Sequence, residues 1–171
     1  LRSYVASYPK GYYLSDALYY LSDCYLLAGD RENAIVTLTE LAGQGTNQYT
    51  VAVLEKLSEM TFADKRWDEA ASAYRRLYDV APTKTGREDA MTGYVRATVA
   101  GGDGAKIAEM AADVCGRDDA GATALREAKY AWAGQLRAEG RSAEAVKLYK
   151  ELSKEVRTKE GDEAAYYVIE S

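Results

Sequence analysis

Apolar residues recur along the chain at spacings of three and four, which is the periodicity of amphipathic helices. The first two stripes are Leu18, Leu21 and Tyr25, then Ala34, Leu38 and Leu41. Between them lies Ala28-Gly29-Asp30, which ends one helix and begins the next. No segment shows the strict alternation typical of half-buried strands. The pattern therefore predicts an all-α protein built of helix pairs.

The helix pair recurs along the chain. The predicted turns are Gly29, Lys65, Gly102 and Gly140, at intervals of 36, 37 and 38 residues. After each turn a small Ala lets two helices approach closely, and a larger residue follows four positions later. These pairs are Ala34/Leu38, Ala70/Tyr74 and Ala145/Tyr149, whereas the degenerate third unit has Ile107 and Ala111. The chain is predicted to be a tandem array.

The array is predicted to contain four repeats, at about 11–46, 47–83, 84–118 and 119–157, between half repeats at 1–10 and 158–171. We expect the chain to be a fragment of a longer protein, because a natural solenoid ends in polar capping helices. Leu1, Tyr4, Tyr166, Tyr167 and Val168 would then expose apolar surface. We expect this surface to favour end-to-end self-association unrelated to function.

One repeat carries a recognisable motif. The segment Trp67-Asp-Glu-Ala70-Ala-x-x-Tyr74-x-x-Leu77, followed by Pro82, resembles the tetratricopeptide repeat family, and the resemblance extends over the whole chain. It implies a right-handed superhelical solenoid of antiparallel helix pairs. The segment Tyr8-Pro9-x-Gly11 ahead of Asp16-Ala17-Leu18 looks like bacterial cell-envelope members. The resemblance thus implies the cell envelope or periplasm, with the cytoplasm left open.

The family resemblance also implies a binding face, because the first helices of successive repeats line a concave surface. Carried over to this chain, the contact positions are Asp16, Tyr19, Asp23, Glu55, Glu59, Phe62, Arg96, Tyr130 and Arg137. The same face includes Leu26, Ala52, Asp89, Thr92, Val99, Glu127 and Gly134. The Lys and Asn residues that clamp a peptide carboxylate in co-chaperone members do not recur. The face suits a protein or peptide of basic and apolar character, although these residues could equally be solvated helix surface.

Composition narrows the choice of partner. Hydrophobic residues make up 47% of the 171 positions, enough for a buried core. The net charge of -5 argues against nucleic acid, which needs a concentrated basic surface. No apolar run approaches the roughly 20 residues that span a bilayer, so direct membrane insertion is not expected. Fifteen tyrosines against one phenylalanine suit shallow grooves better than one deep core.

The candidate chemistry is sparse. The chain has no histidine and therefore lacks the usual general base and the commonest transition-metal ligand. Cys24 and Cys115 lack zinc-site spacing and are expected to be buried free thiols. We therefore expect no catalytic site, no metal and no cofactor.

Three local patterns have structural interpretations. The glycine-rich run from Gly101 to Lys106 lacks the spacing of a phosphate loop and is predicted to be a turn between helices. Asp30 is predicted to begin a helix, since the residues after it do not complete a calcium loop. Thr85 with Glu88 has the form of a capping box.

The sequence as a whole predicts a non-catalytic protein-protein interaction scaffold. Two alternatives remain open at this point. The array could be a passive structural spacer, or it could be a regulatory module attached to an enzyme domain in the full-length chain.

Overall fold

The structure, a computed structural model, describes residues 1–155 and 158–170. Within these ranges the chain forms helices and turns and contains no strand. The helices are α1 (Arg2–Ser7), α2 (Leu14–Leu27), α3 (Arg31–Gly43), α4 (Thr50–Ala63), α5 (Trp67–Val80), α6 (Lys84–Gly101), α7 (Gly104–Cys115), α8 (Ala122–Ala138), α9 (Ser142–Leu152) and α10 (Lys159–Glu170).

The chain divides into two compact units, Leu1–Ala81 and Pro82–Ser171. In the first unit, each of α1 to α4 packs on the helix that follows it. In the second, α6 packs on α7 and α8, and α8 also packs on α7, α9 and α10. The helices of each pair are joined by a short turn and run antiparallel.

The predicted all-α class of stacked antiparallel pairs is confirmed. The predicted repeat boundaries stay a prediction, and residues 156, 157 and 171 of the last segments lie outside the described residues.

The four turns predicted from the sequence share one backbone conformation. Gly29, Lys65, Gly102 and Gly140 have φ values of 72°, 58°, 72° and 78°. A positive φ suits glycine, which has no β-carbon to clash with the neighbouring carbonyl. In three of these turns, the next amide donates across the helix end to a carbonyl five positions earlier. These bonds are Asp30 to Tyr25, Arg66 to Thr61 and Arg141 to Leu136, each 2.8 Å long.

A small residue near the start of the second helix of each pair is buried in the contact with the first helix. Ala34 and Ala70 are 0% exposed and Ala145 is 1% exposed, as the repeat pattern predicts. In the degenerate third pair, Ile107 and Ala111 are also buried. Alanine in three pairs and isoleucine in the third therefore occupy the equivalent buried position, and the fold tolerates this departure from the motif.

The helix starts confirm one expectation and correct another. Asp30 caps α3 by accepting a hydrogen bond from the Asn33 amide, and Asp103 caps α7 by accepting from the amides of Ala105 and Lys106. A turn interrupts the glycine-rich run as predicted, but it is confined to Gly102 and Asp103, and the other residues of the run belong to α6 and α7. The predicted cap at Thr85 is wrong, because α6 begins at Lys84 and Thr83 accepts the hydrogen bond from the Gly86 amide. Both threonines precede the same apolar stripe, and the pattern alone does not choose between them.

The two cysteines are free thiols, as predicted, but both are exposed, so the expectation that they are buried is wrong. The buried face of α7 is formed by Ile107, Met110, Ala111 and Val114. Cys115 comes after this series and lies outside the stripe. On α2, Cys24 likewise falls outside the buried set of Leu14, Ala17, Leu18 and Ser22.

The terminal residues expose less apolar surface than expected. Tyr166 is 59% exposed and Leu1 is 53% exposed, in line with the prediction. Tyr167 and Val168 are half-buried against a cluster that includes Ala164, and Tyr4 is half-buried beside Tyr8, so the prediction is wrong for these three. Ile169, at 84% exposed, is the larger apolar surface on this helix. The buried side of α10 faces α9 and α8, which are both present.

Candidate partner-binding faces

In the first unit, Asp16, Tyr19 and Asp23 lie on one side of α2, because residues spaced three and four apart share a helix face. All three are half-buried. The Tyr19 ring stacks on Tyr49, with the ring centroids 4.3 Å apart and the planes inclined by 15°. This side of α2 is therefore partly covered by residues at the start of α4, and its predicted contact residues have partners within the chain.

Asp16 accepts two hydrogen bonds from the segment that leads into α4. One comes from the Tyr49 hydroxyl and the other from Gln48 Nε2, at 3.2 Å. The bond to the Asp16 carboxylate favours the neutral phenol, and it raises the pKa of Tyr49 from 10.0 to about 12. This contact joins the α2/α3 pair to the α4/α5 pair.

Lys56 of α4 neutralises part of the predicted acidic face. Its Nζ lies 2.7 Å from Asp23 Oδ1 and 4.6 Å from the centroid of the Tyr19 ring. Burial lowers the pKa of Lys56, but hydrogen bonds to Asp23 and Tyr19 outweigh it, so the pKa is raised. The lysine stays charged, and the cation-π contact with Tyr19 adds to the ion pair.

The three residues predicted on α4 differ in accessibility. Glu55 and Glu59 are exposed on the helix surface. Phe62 is half-buried and meets Trp67 edge-on at 5.2 Å and Tyr74 at 6.3 Å, both on α5. Phe62 therefore packs within its own helix pair, and the two glutamates give this surface its negative charge.

In the second unit, Arg96 of α6 reaches Glu127 of α8 through two parallel hydrogen bonds of 2.9 and 2.7 Å. Tyr130 of α8 donates a hydrogen bond to Glu163 of α10. Burial raises the pKa of Tyr130, and the bond to the Glu163 carboxylate raises it further. The first helices of successive pairs are thus joined by polar contacts.

Arg137 lies near the end of α8 and is exposed. Its guanidinium sits 4.1 Å from the centroid of the Tyr167 ring, which in turn stacks on Tyr149 at 5.2 Å. A guanidinium over an aromatic face is a favourable cation-π arrangement. Arg137 therefore both packs on α10 and presents charge to solvent.

An open groove lies between α6, α8 and the start of α10, with a volume of about 440 Å³. Its lining combines a small apolar floor with charged and tyrosine side chains. The lining residues are Val95, Arg96, Val99, Ala100, Glu127, Tyr130, Ala131, Gly134, Lys159 and Glu160. Its volume falls in the lower part of the range for ligand sites. Two of the predicted contact residues, Arg96 and Tyr130, line it.

The structure shows partners that the sequence analysis missed. Tyr49 and Lys56 lie 33 residues after Asp16 and Asp23, and Glu163 lies 33 residues after Tyr130. A search for complementary polar residues at this fixed spacing would have found all three. The nine predicted residues stay a prediction as contacts to a partner.

Two further classes of site are absent from the part of the chain that the structure describes. No group of three or more Asp, Glu or Cys residues there is placed to hold a metal ion. Among the same residues, no helix is long and apolar enough to cross a membrane.

Residues 16–44, which contain α2, the Gly29 turn and α3, match the family model described as "Tetratricopeptide repeat". This segment is similar to a tetratricopeptide repeat. The helix hairpin of this repeat, with Ala34 buried behind the turn, is the unit that recurs at Ala70 and Ala145.

Two solved structures with tetratricopeptide-like repeats are similar over most of the chain. Both come from a candidate kinesin light chain of Podosopora anserina with nearly identical TPR-like repeats, one of them a substituted variant of the other. They are 15% and 16% identical to this chain, each with a TM-score of 0.43. The matches cover 92% of this chain and 85% and 86% of the solved chains. No curated protein sequence matches the chain.

Proposed function

We propose that this chain is a non-catalytic scaffold that binds a protein or peptide on the faces formed by its first helices. Tetratricopeptide repeats are generally protein-protein interaction modules, and residues 16–44 match that family. The individual helix faces then serve as contact surfaces, and the second helices hold them in place.

The observation that carries this proposal is the groove between α6, α8 and α10. It lies on the first helices, where the repeat pattern predicts binding, and its volume is about 440 Å³. Val99, which lines it, is 40% exposed, so apolar surface is available to a partner. A passive spacer has no need for an apolar groove with charged residues around it.

The first unit supports the same function with different chemistry. Glu55 and Glu59 are exposed on α4, and Tyr19 of α2, which contacts Lys56 of α4, is half-exposed. Tyrosine supplies contact area together with a hydroxyl, which makes it frequent in binding surfaces. This acidic and aromatic surface suits a basic and apolar segment of a partner.

The proposal is tested with peptides selected from a random 12-residue display library on the purified chain. We expect Val99→Arg, which places a charged side chain in the groove, to weaken the selected peptides by about 10-fold or more. The matched control is Val36→Arg on α3, since Val36 is 54% exposed and outside the groove. A selection that yields no peptide would favour the spacer, and selected peptides that bind both variants equally would show that the groove is not the binding surface.

We also propose that the chain works in a bacterial cell envelope, which rests on the resemblance of Tyr8-Pro9-x-Gly11 and the following helix to envelope members of the family. Fractionation of the source cells, followed by immunodetection, tests this. Recovery of the protein from the cytoplasmic fraction alone would contradict the assignment.

A further inference from the structure

Gly134 lies inside α8, where glycine is unfavourable compared with alanine because it restrains the unfolded chain less. Two structural reasons commonly account for such a glycine, a positive φ or a close neighbour. Gly134 has neither, since it is not among the positive-φ residues and no atom of a neighbouring element lies within 4 Å of a β-carbon built there.

Gly121 of the same unit shows what a structural requirement looks like. Gly121 has a φ of 86°, and its β-carbon would lie 2.8 Å from Glu88. At Gly134 the space is open and forms part of the groove described above. The missing side chain therefore enlarges the groove without serving the packing of the fold.

We propose that Gly134 keeps this groove open for one large apolar side chain of a partner segment, with an acidic residue of that segment beside it. The inference rests on the proposed function and specifies what the groove takes. Val99 and Ala131 line the groove together with Gly134, and most of the exposed lining surface is apolar. Tyr130 also lines it, but its hydroxyl already donates a hydrogen bond to Glu163. An apolar side chain gains from leaving water there.

The acidic neighbour follows from which charges reach solvent. Arg96 and Lys159 have side chains 57% and 80% exposed. The carboxylates Glu127 and Glu160 are only 19% and 22% exposed, and each is ion-paired, Glu127 with Arg96 and Glu160 with the similarly buried Arg126. Glu163, 3.8 Å from Lys159, is 42% exposed, so Lys159 remains the more accessible of the two. An incoming segment meets positive charge first, and a carboxylate complements it.

The test uses two substitutions that differ in how far they fill the groove, Gly134→Ala and Gly134→Leu. Both replace glycine by better helix formers, and we expect each to raise the thermal midpoint by about 2–4 °C. The probes are synthetic peptides with one central Leu flanked by Asp, the same peptide flanked by Lys, and the Asp peptide with a central Ala. Dissociation constants come from NMR titration of the labelled protein.

We expect the Asp-flanked Leu peptide to bind the wild type most tightly. Filling the groove with Gly134→Leu removes the site for its side chain and weakens it by about 10- to 100-fold, and Gly134→Ala weakens it less. The matched control Ala112→Leu adds the same side chain to the exposed surface of α7 and leaves the affinity unchanged.

Any one of the following results would overturn the inference. A lower thermal midpoint for Gly134→Ala would show that the fold itself needs the glycine. Equal affinity of wild type and Gly134→Leu for the Asp-flanked Leu peptide, or no preference for it over the Ala peptide, would show that no apolar side chain enters there. Preference for the Lys-flanked peptide would refute the acidic neighbour. If library peptides lose binding with Val99→Arg but not with Gly134→Leu, the proposed function stands and this inference fails.

Discussion

Replacing Lys65 by glycine is expected to stabilise the first unit. Lys65 has a φ of 58° at a turn where the three equivalent positions are glycine. A left-handed conformation costs a residue with a β-carbon about 1–2 kcal/mol. Glycine removes this strain, but the greater freedom of glycine in the unfolded chain lowers the stability of the folded state by about 0.5–1 kcal/mol. The net gain is about 0.5–1 kcal/mol, or about 1–4 °C in the thermal midpoint.

Urea unfolding followed by circular dichroism at 222 nm measures this gain. Lys65→Ala is the matched control, since it removes the charged side chain but keeps the β-carbon, and we expect it to change stability little. The reverse substitution, Gly29→Ala, is expected to cost about 1 kcal/mol although no atom lies within 4 Å of the new β-carbon. The reasoning fails if Lys65→Gly and Lys65→Ala have equal effects, because the cause would then be the side chain and not the backbone.

Two further predictions concern packing and ionisation. Ala70→Leu overpacks the α4/α5 contact and is expected to lower the free energy of unfolding, measured with urea, by about 1–3 kcal/mol. The control Ser72→Leu, on the exposed surface of α5, is expected to change it little. Equal effects of the two substitutions would contradict the close packing of Ala70. Because the folded-state pKa of Tyr49 is raised from 10.0 to about 12, the hydrogen bond to Asp16 contributes fully below pH 10 and is lost as the pH rises toward 12. In a tyrosinate absorbance titration, Asp16→Asn should shift one phenol to lower pH, and an unchanged curve would refute the assignment.

The turn spacing carried most of the fold prediction. One position in each turn has a positive φ, which favours glycine strongly and admits few other residues. The four turns can therefore be aligned with one another from the sequence, even though Lys65 stands at the glycine position in one of them. Buried Ala34 and Ala70 were predictable for a related reason, because a close helix crossing excludes larger side chains at most repeats. Both features are local and repeat along the chain.

The groove could be predicted only in outline. Arg96, Tyr130 and Gly134 were placed on the binding face from their repeat positions, but the open space beside Gly134 depends on what surrounding helices do not fill. The exposure of the charged residues that line the groove likewise depends on the packing, as the different exposures of the paired Arg96 and Glu127 show. Cys115 shows the limit of residue-type averages: cysteine is usually buried, but this one follows Val114 at the end of α7 and is exposed.

The fixed 33-residue separation between polar partners bears on how such an array can change in length during evolution. Each residue inserted in a helix turns the following side chains by about 100°, so an insertion in α2 ahead of Asp23 would carry its carboxylate away from Lys56. The connections at 44–49 and 116–121 lie between helix pairs and contain no helix to rotate. A residue gained or lost in the 44–49 connection would change the 33-residue separation but would not turn the faces of α2 and α4. Such changes are therefore expected in the connections rather than within the part of α2 from Asp16 to Asp23.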